Sequence, residues 1–361
     1  MGKKRTGDKT TETVTLQTIA DAMKVSRATV SNAFNRPDQL TPELREKILR
    51  KANELKYGGP DAVAAVLRKG RTDTIGVIFT EALTYALTDP VALAVLQGIA
   101  QETEEAEIRL LLIPTAADRT DTSPVRDAVV DSFILWSLPD TDPQRLAALA
   151  RRLPVVILDG TPDPDAAWIG IDDGRGLEEL VRRLTTLGHR RFGVVTWPLA
   201  EDGFMGFADL ERRNSIYAAA RERIEGIQRG VEAAGIAWAD TPVFECEINR
   251  RENGVRGATA LLDLDQPPTA ILCMSDLLAF GAIQTASARG LAVPGDVSIT
   301  GYDDIPAAAR SDPPLTTIRQ PFASKGQRAA RFLLDGWSGE PPRLEFPTEV
   351  IWRESAGPVP R

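Results

Sequence analysis

Beyond residue 73 the sequence alternates short apolar runs with stretches of helical period. TIGVIF, IRLLLIP, SFILW, PVVIL and AWIGI form a first series of runs, and RFGVVTW, VFECEI, AILCM and VSITGYD a second. Between them lie helical patterns over 91–106, 143–152, 174–187, 215–234, 255–263, 276–289 and 324–335. A short run that stays apolar is a strand buried on both faces, and a helix between two such runs is the connection parallel pairing requires. The chain is thereby confined to an α/β architecture, with helices covering both faces of parallel sheets. Two series of runs predict two such halves with a cleft between them. Open sheets of this kind bind ligands at the carboxyl ends of their strands.

The first 73 residues break that pattern. In TLQTIADAMKVSRATVSNAFN, Leu16, Ile19, Ala20 and Met23 recur at helical spacing behind Thr15, an N-cap residue. KVS makes a tight break, and Ser26 caps a second helix, RATVSNAF. Its Val30 and Phe34 face inward, while Arg27, Ala28, Thr29, Ser31 and Asn32 project outward. A third helix starts at TPELREKILRKANEL, with Thr41 as cap and Pro42 in the first turn, where a missing N–H does no harm. Leu44, Ile48, Leu49, Ala52 and Leu55 form its apolar stripe. Two helices across so short a turn, braced by a third, predict an all-α helix-turn-helix head. Its second helix would enter the major groove of DNA, where donor and acceptor patterns distinguish base pairs. A bundle used only for packing is the alternative, and charge weighs against it. Residues 1–73 hold 15 Lys and Arg against 9 Asp and Glu, a balance of +6, whereas the rest carries 28 against 42, a balance of −14. A basic head on an acidic body fits one nucleic-acid-binding domain attached to a body that binds something else. Residues 1–13, polar throughout, are expected to be a disordered tail.

Other classes lose ground on composition. His189 is the single histidine, so a Ser-His-Asp triad or a histidine metal centre would have to be built on it alone. It lies between a helical pattern and a strand, where it reads as a polar residue at a helix C-terminus, a place that favours a cation. Cys246 and Cys273 are the only cysteines and sit among strand residues, which implies a reducing compartment without disulfide or metal. No apolar run approaches the roughly 20 residues of a membrane helix, and MGKKRTGDKTTETV lacks the apolar segment of a signal peptide. The expectation is a cytoplasmic protein that is no enzyme and needs no cofactor.

VTLQTIADAMKVSRATVSNAFN followed by LTPELREKILRKANELKY resembles the DNA-binding head of the lactose-repressor (LacI/GalR) family of bacterial regulators. IGVIF, LVRRLTTLGHRRFGVV, RERIEGIQRGVEAAGI, the series from PTAILCMSDLLAFGA to GYDD, and PPLTTIRQPF resemble that family's effector-binding core in order and spacing. That core is similar to the periplasmic sugar-binding fold. The resemblance spans nearly the whole chain and implies a division into a head over 14–59, a hinge helix and linker over 60–72, and a core over 73–361. Within the core it implies an N-subdomain of about 73–172 and 322–347, and a C-subdomain of about 173–321 and 348–361. It implies a homodimeric repressor on pseudo-palindromic double-stranded operator DNA, controlled by a small molecule in the cleft, a sugar or related polyhydroxyl metabolite. A DNA-binding regulator with a vestigial cleft, independent of ligand or controlled by a protein partner, is the alternative.

The resemblance also assigns residues. Arg27 and Ala28 take the main base-reading positions and Asn32 a third, while Ser26, Thr29 and Ser31 contact phosphates or brace the helix. Thr15, Leu16 and Asn35 join this DNA-contacting set. Asn32 stands where many relatives carry Arg, so their operator sequences do not transfer. In YGGPDAVAAVLRKGRT, Leu67 matches the leucine that each hinge helix wedges into the central base step, and Ala62, Val63, Ala64 and Val66 supply the small residues of close pairing. In the core, Arg223 anchors the effector and Asp303 accepts its hydroxyls. Ser275 and Asp276 begin a helix, Asp276 as a cap or a ligand contact. Phe322 and Ile169 form apolar walls, Thr80 and Glu81 the lip, and Asp159, Trp197 and Asn249 complete the set. Asn249 stands where some sugar-binding members place a stacking aromatic. The segment 197–220 is longer than in the simplest relatives; its Trp197, Phe204, Met205 and Phe207 form a lid or a surface loop packed on its own helix. The ending WRESAGPVPR has no leucine heptad, which implies a dimer without a tetramerising tail.

Overall fold

The computed structural model of the protein describes residues 14–59, 69–80, 82–114, 120–210 and 214–360. They fall into two compact units divided between Thr72 and Asp73. The tail, the hinge residues Ala62 to Leu67, and Glu81 lie outside the described residues.

Among its described residues the first unit is built on three α-helices: α1 (Leu16–Met23), α2 (Arg27–Asn35) and α3 (Pro42–Glu54). Each begins at a hydroxyl cap. Thr15 and Thr18 form a reciprocal capping box, Ser26 Oγ accepts the Thr29 N–H at 3.0 Å, and Thr41 Oγ1 accepts the Leu44 N–H at 3.4 Å. Each cap is worth about 1 kcal/mol. The tight break after α1 is Lys24, in the left-handed region at φ 57°. Ile19, Ala20, Val30, Ala33, Ile48 and Ala52 are buried between the helices. Phe34, read as an inward residue, sits half-buried at the rim, edge-on to Tyr57 at 5.6 Å between ring centroids. Ala33 is fully buried beside Val30, with Phe34 packed against the same cluster.

The second unit has two lobes. The first lobe is built on a six-stranded parallel sheet of β1 (Thr74–Phe79), β2 (Arg109–Ile113), β3 (Ser132–Trp136), β4 (Val155–Leu158), β5 (Ala167–Ile171) and β12 (Arg343–Phe346), in the order β12-β5-β4-β3-β1-β2. The second is built on β6 (Phe192–Thr196), β7 (Gly206–Phe207), β8 (Val243–Glu245), β9 (Ala270–Cys273) and β10 (Ser298–Thr300), in the order β10-β9-β6-β8-β7, with β7 alone antiparallel. An antiparallel pair, β11 (Thr317–Arg319) with β13 (Glu349–Ile351), completes the strands. Around the first sheet lie α4 (Leu83–Ala86), α5 (Pro90–Glu105), α6 (Ser123–Arg126) and α7 (Pro143–Ala150). Next come α8 (Asp173–Thr186), α9 (Ala218–Ala233), α10 (Arg251–Leu262) and α11 (Asp276–Ala288) on the second lobe, then α12 (Phe322–Asp335) back on the first. The chain passes between lobes three times: after β5, between β11 and α12, and between β12 and β13.

The nine apolar runs are strands and the seven helical patterns are helices, with ends displaced by a few residues. Strands β7, β11, β12 and β13 escape the sequence reading because they are short; β12 and β13 lack the continuous burial of a parallel core strand. Helices α8 and α9 meet backbone to backbone: a Cβ on Gly226 would lie 2.2 Å from the Gly174 carbonyl oxygen, so glycine alone permits the contact. No helix among the described residues is long and apolar enough to cross a membrane.

His189 is not a cation at a helix end. It is fully buried beyond α8, with Nδ1 2.9 Å from Thr269 Oγ1 and Nε2 3.0 Å from the Gly357 carbonyl oxygen. The carbonyl only accepts, so Nε2 carries a proton, while Nδ1 faces the Thr269 hydroxyl, which also lies 3.2 Å from the Arg191 carbonyl oxygen. Burial lowers the imidazole pKa, against a smaller raising effect from Gly357. Below about pH 6.5 the unfolded chain therefore takes up a proton that the folded chain resists, and stability falls as pH drops. Asp276, raised to about 7 by burial, works in the opposite direction over the same range. The histidine contribution is isolated by comparison with His189→Gln. The urea midpoint of the native protein should lose its advantage over this variant between pH 7.5 and 5.5, and a constant difference would contradict the assignment.

Candidate functional site

The junction of the two lobes holds a cavity of about 170 Å³. Its walls come from residues that follow strand carboxyl ends: Thr80 after β1, Ser137 after β3, Asp159 after β4, Trp197 and Pro198 after β6, and Asp303 beyond β10. Gln320 and Phe322 enter from the crossing between β11 and α12. Parallel sheets place their loops on one edge, which brings residues distant in sequence into a single cavity.

Arg223 is the centre of the site. The close contact of Gly226 with Gly174 sets α9 against the start of α8, where Asp173 is the first helical residue. Arg223 Nε donates to Asp173 Oδ1 at 2.6 Å and Nη1 donates to the Met274 carbonyl at 2.8 Å. The guanidinium lies 3.5 Å from the Tyr302 ring centroid and 4.6 Å from that of Trp197, stacked between two aromatics. It is 5% exposed, so this arrangement replaces a solvated helix charge with a desolvated, fixed donor. Burial opposes its charge, but Asp173 and Asp303 outweigh that and hold its pKa above the ordinary value. Nη2 donates to no group among the described residues, which leaves a planar pair of N–H donors for a ligand.

Asp303 Oδ1 lies 4.0 Å from Arg223 Nη1 and accepts from Gln320 Nε2 at 2.9 Å. Its backbone is at φ 122°, a conformation few side chains adopt, held by an N–H bond to the Ile318 carbonyl at 2.8 Å. Burial pushes its carboxyl well above the usual range; Arg223 opposes this and the charges of Asp276 and Asp89 add to it. Across the cavity, Asp159 accepts from Lys325 Nζ at 2.7 and 2.6 Å and from Trp136 Nε1 at 3.2 Å. At the mouth the Tyr85 hydroxyl is 2.9 Å from Asp89 Oδ2 and 2.8 Å from the Asn249 carbonyl oxygen. This last contact joins the lobes. Among the described residues no group of three or more His, Cys, Asp or Glu is arranged to hold a metal ion.

Of the residues assigned by resemblance, Thr80, Asp159, Trp197, Arg223, Asn249, Asp303 and Phe322 line the cavity. Three others do not. Ile169 is fully buried in β5, packed in the first lobe's core behind the wall. Ser275 caps α11 through the Leu278 N–H and donates its hydroxyl to Asn249 Oδ1. Asp276, the first residue of α11, accepts from Thr317 Oγ1 at 2.6 Å and from the Ile305 N–H at 2.8 Å, so both oxygens are committed to structure. Asp173, Trp136, Tyr85 and Gln320 line the cavity and carry no sequence assignment. Asp173 alone had a signal, as the residue opening a helix just after the strand AWIGI. Of the aromatics in the long segment 197–220, Trp197 and Tyr217 line the cavity. Phe207, on the added edge strand β7, packs edge-on to Phe244 at 5.5 Å, and Met205 packs against the second lobe's core. Among the described residues, Trp197, Pro198, Tyr217 and Ala219 reach the cavity from this segment.

On the head, Arg27 and Ala28 are exposed at the N-terminus of α2, and Arg27 makes no ion pair among the described residues. Ser26 and Thr29 spend their hydroxyls on each other and on the cap, and Asn35 Nδ2 donates back to Ser31. Asn32 is half-buried and Thr15 is exposed at the start of α1. Leu16 packs, partly buried, against the head's interior. Ala64 and Leu67 lie outside the described residues.

A family model described as a periplasmic binding protein-like domain matches residues 181–356. An HTH-type transcriptional regulator of Mycobacterium tuberculosis is 38% identical, covering 95% of this chain and 97% of its own length. A crystal structure of a LacI-family transcriptional regulator from Corynebacterium glutamicum is 32% identical with a TM-score of 0.71, over 95% of this chain and 98% of that one. A structure of the regulator CelR in complex with cellobiose is 28% identical with a TM-score of 0.68, over 95% and 99%.

Proposed function

We propose a function from the premise that this chain belongs to the LacI family of transcription regulators. It is a cytoplasmic repressor whose operator affinity is set by a neutral polyhydroxyl molecule, a sugar or close relative, bound at the lobe junction. The observation that carries this reading is the joining, in one chain, of a head presenting Arg27 and Ala28 to a two-lobed core whose cavity holds Arg223 and Asp303. Two copies bind a pseudo-palindromic operator, since a two-fold protein matches a two-fold site. The core divides into subdomains of about 73–172 with 322–347, and 173–321 with 348–361. The segment 60–72 is the linker that couples core to head. Effector binding changes the relation of the lobes and acts through its differential affinity for the DNA-competent and DNA-incompetent states.

Charge selects the neutral effector. Among the described residues, Asp89, Asp159, Asp173 and Asp303 line the cavity against one cation, Arg223, already paired with Asp173. Lys325, behind the wall, is consumed by Asp159. A phosphate or carboxylate would enter a site with carboxylates in excess, whereas hydroxyls match both the acceptors and the free N–H pair. Phe79, Trp136, Trp197 and Phe322 supply aromatic surface for the apolar faces of a sugar ring. The cellobiose held by CelR belongs to the same chemical class.

A thermal-shift screen of neutral mono- and disaccharides and cyclic polyols, paired with their phosphate esters, tests the reading. A neutral compound at about 100 times its Kd should stabilise the core by about 2.7 kcal/mol, with its phosphate ester silent. A phosphate ester as the tightest binder would overturn the assignment.

A further inference from the structure

At the floor of the cavity one line of hydrogen bonds runs from lobe to lobe. It starts at Trp136 and Asp159 in the first lobe, passes through Lys325 Nζ to Gln320 Oε1 at 2.9 Å, and continues from Gln320 Nε2 to Asp303 Oδ1 in the second lobe. Lys325 is 0% exposed, and its three donors are used by the two Asp159 oxygens and by Gln320. Gln320 is 6% exposed and sits where the chain crosses between β11 and α12.

The chemistry of the line permits one orientation. An ammonium only donates, so the oxygen of the Gln320 amide must face Lys325 and the nitrogen must face Asp303. Turning the amide over would set NH2 against NH3⁺ and oxygen against a carboxyl oxygen. A buried charge also needs a counter-charge, which Asp159 supplies. Asp303 Oδ1 is thereby engaged, and Oδ2, without a partner among the described residues, is left for the cavity. Further contacts between lobes, among them Tyr85 to Asn249, Arg221 to Thr161 at 3.3 Å and to Asp140 at 3.8 Å, and Arg250 over the Tyr85 ring, lie on less buried side chains.

We propose that Lys325 and Gln320 are positioning residues of the sensor: the buried ammonium orients the amide, the amide holds the carboxyl that faces the effector, and the same line latches the lobes in this relative arrangement. The assignment of Asp303 to effector recognition rests on the function proposed above; the latch does not, and it is tested without effector or DNA.

The experiment measures spin-label distances in the full-length, ligand-free protein, with labelled chains diluted into unlabelled ones. Cys246 and Cys273 are buried, and burial raises both thiol pKa values, so introduced cysteines react selectively. Labels at Val129 and Gln266 report between lobes, and labels at Val129 and Glu104 report within the first lobe. Gln320→Leu removes both amide bonds, and Lys325→Met with Asp159→Asn removes the ion pair without leaving a lone charge. In both, the inter-lobe distribution should widen about twofold or more while the intra-lobe distribution keeps its native width. Native width between lobes in both variants would overturn the proposal. Equal widening within and between lobes, or failure of both variants to fold, would assign the line to stability alone and overturn it as well. A null effector screen beside a widened inter-lobe distribution would count against the proposed function and leave the latch standing.

Discussion

Arg223→Ala is expected to abolish the response of operator binding to effector while leaving operator affinity in the absence of effector within a few-fold of native. Two effects combine. The substitution removes the guanidinium whose Nη2 faces the ligand, and a buried, hydrogen-bonded charge partner of this kind is worth about 2–5 kcal/mol in affinity, or roughly 30- to several-thousand-fold. It also leaves Asp173 buried and unpaired, which costs about 3–5 kcal/mol of stability. The two are separable. In Arg223→Met with Asp173→Asn the uncompensated charge is gone, so the denaturation midpoint should recover most of its loss while the effector dose–response stays flat. A double variant that regains the response would place recognition elsewhere in the cavity.

The second large effect lies in the head. Arg27 is exposed at the start of α2 and free of ion pairs among the described residues, so its fork is available to guanine O6 and N7. Arg27→Ala should weaken binding to the selected operator by about 1–3 kcal/mol, relax preference at one G·C pair, and leave effector affinity unchanged. Measured across salt, the variant should show nearly the native slope, because the slope counts phosphate contacts and Arg27 reads a base. A uniform loss over all DNA sequences would make Arg27 a phosphate contact instead.

Periodicity and caps carried most of the fold into view. Thr15, Ser26 and Thr41 announce three helices because their hydroxyls have one local use, and AILCM or PVVIL can be buried in few other ways. What stayed hidden depends on tertiary placement. His189 reads as polar in the chain, yet Thr269 and Gly357, distant in sequence, satisfy both ring nitrogens and make it an interior residue. Asp276 and Ser275 begin a helix, as read, but strand β11, carrying Thr317, and the loop carrying Asn249 lie against them and use their oxygens before a ligand could. Lys325 falls in a helical pattern where a lysine reads as a solvated charge. Only the crossing that brings Asp159 and Gln320 beside it reveals a buried ammonium. Likewise Phe207 looks suited to a lid until the edge of β8 pairs with it.

Operator and effector sites are expected to be coupled, and one titration measures that coupling. Full-length protein is titrated onto its selected operator, with fluorescence anisotropy as the readout, at a single salt concentration. The titration is run without effector and with the best neutral binder from the screen at saturation. A coupling of about 1–3 kcal/mol, a change of roughly 5- to 150-fold in operator Kd, is the expected result. It should disappear in Arg223→Ala. An operator Kd unmoved by every compound that occupies the cavity would contradict the account and leave a DNA-binding protein that senses nothing there.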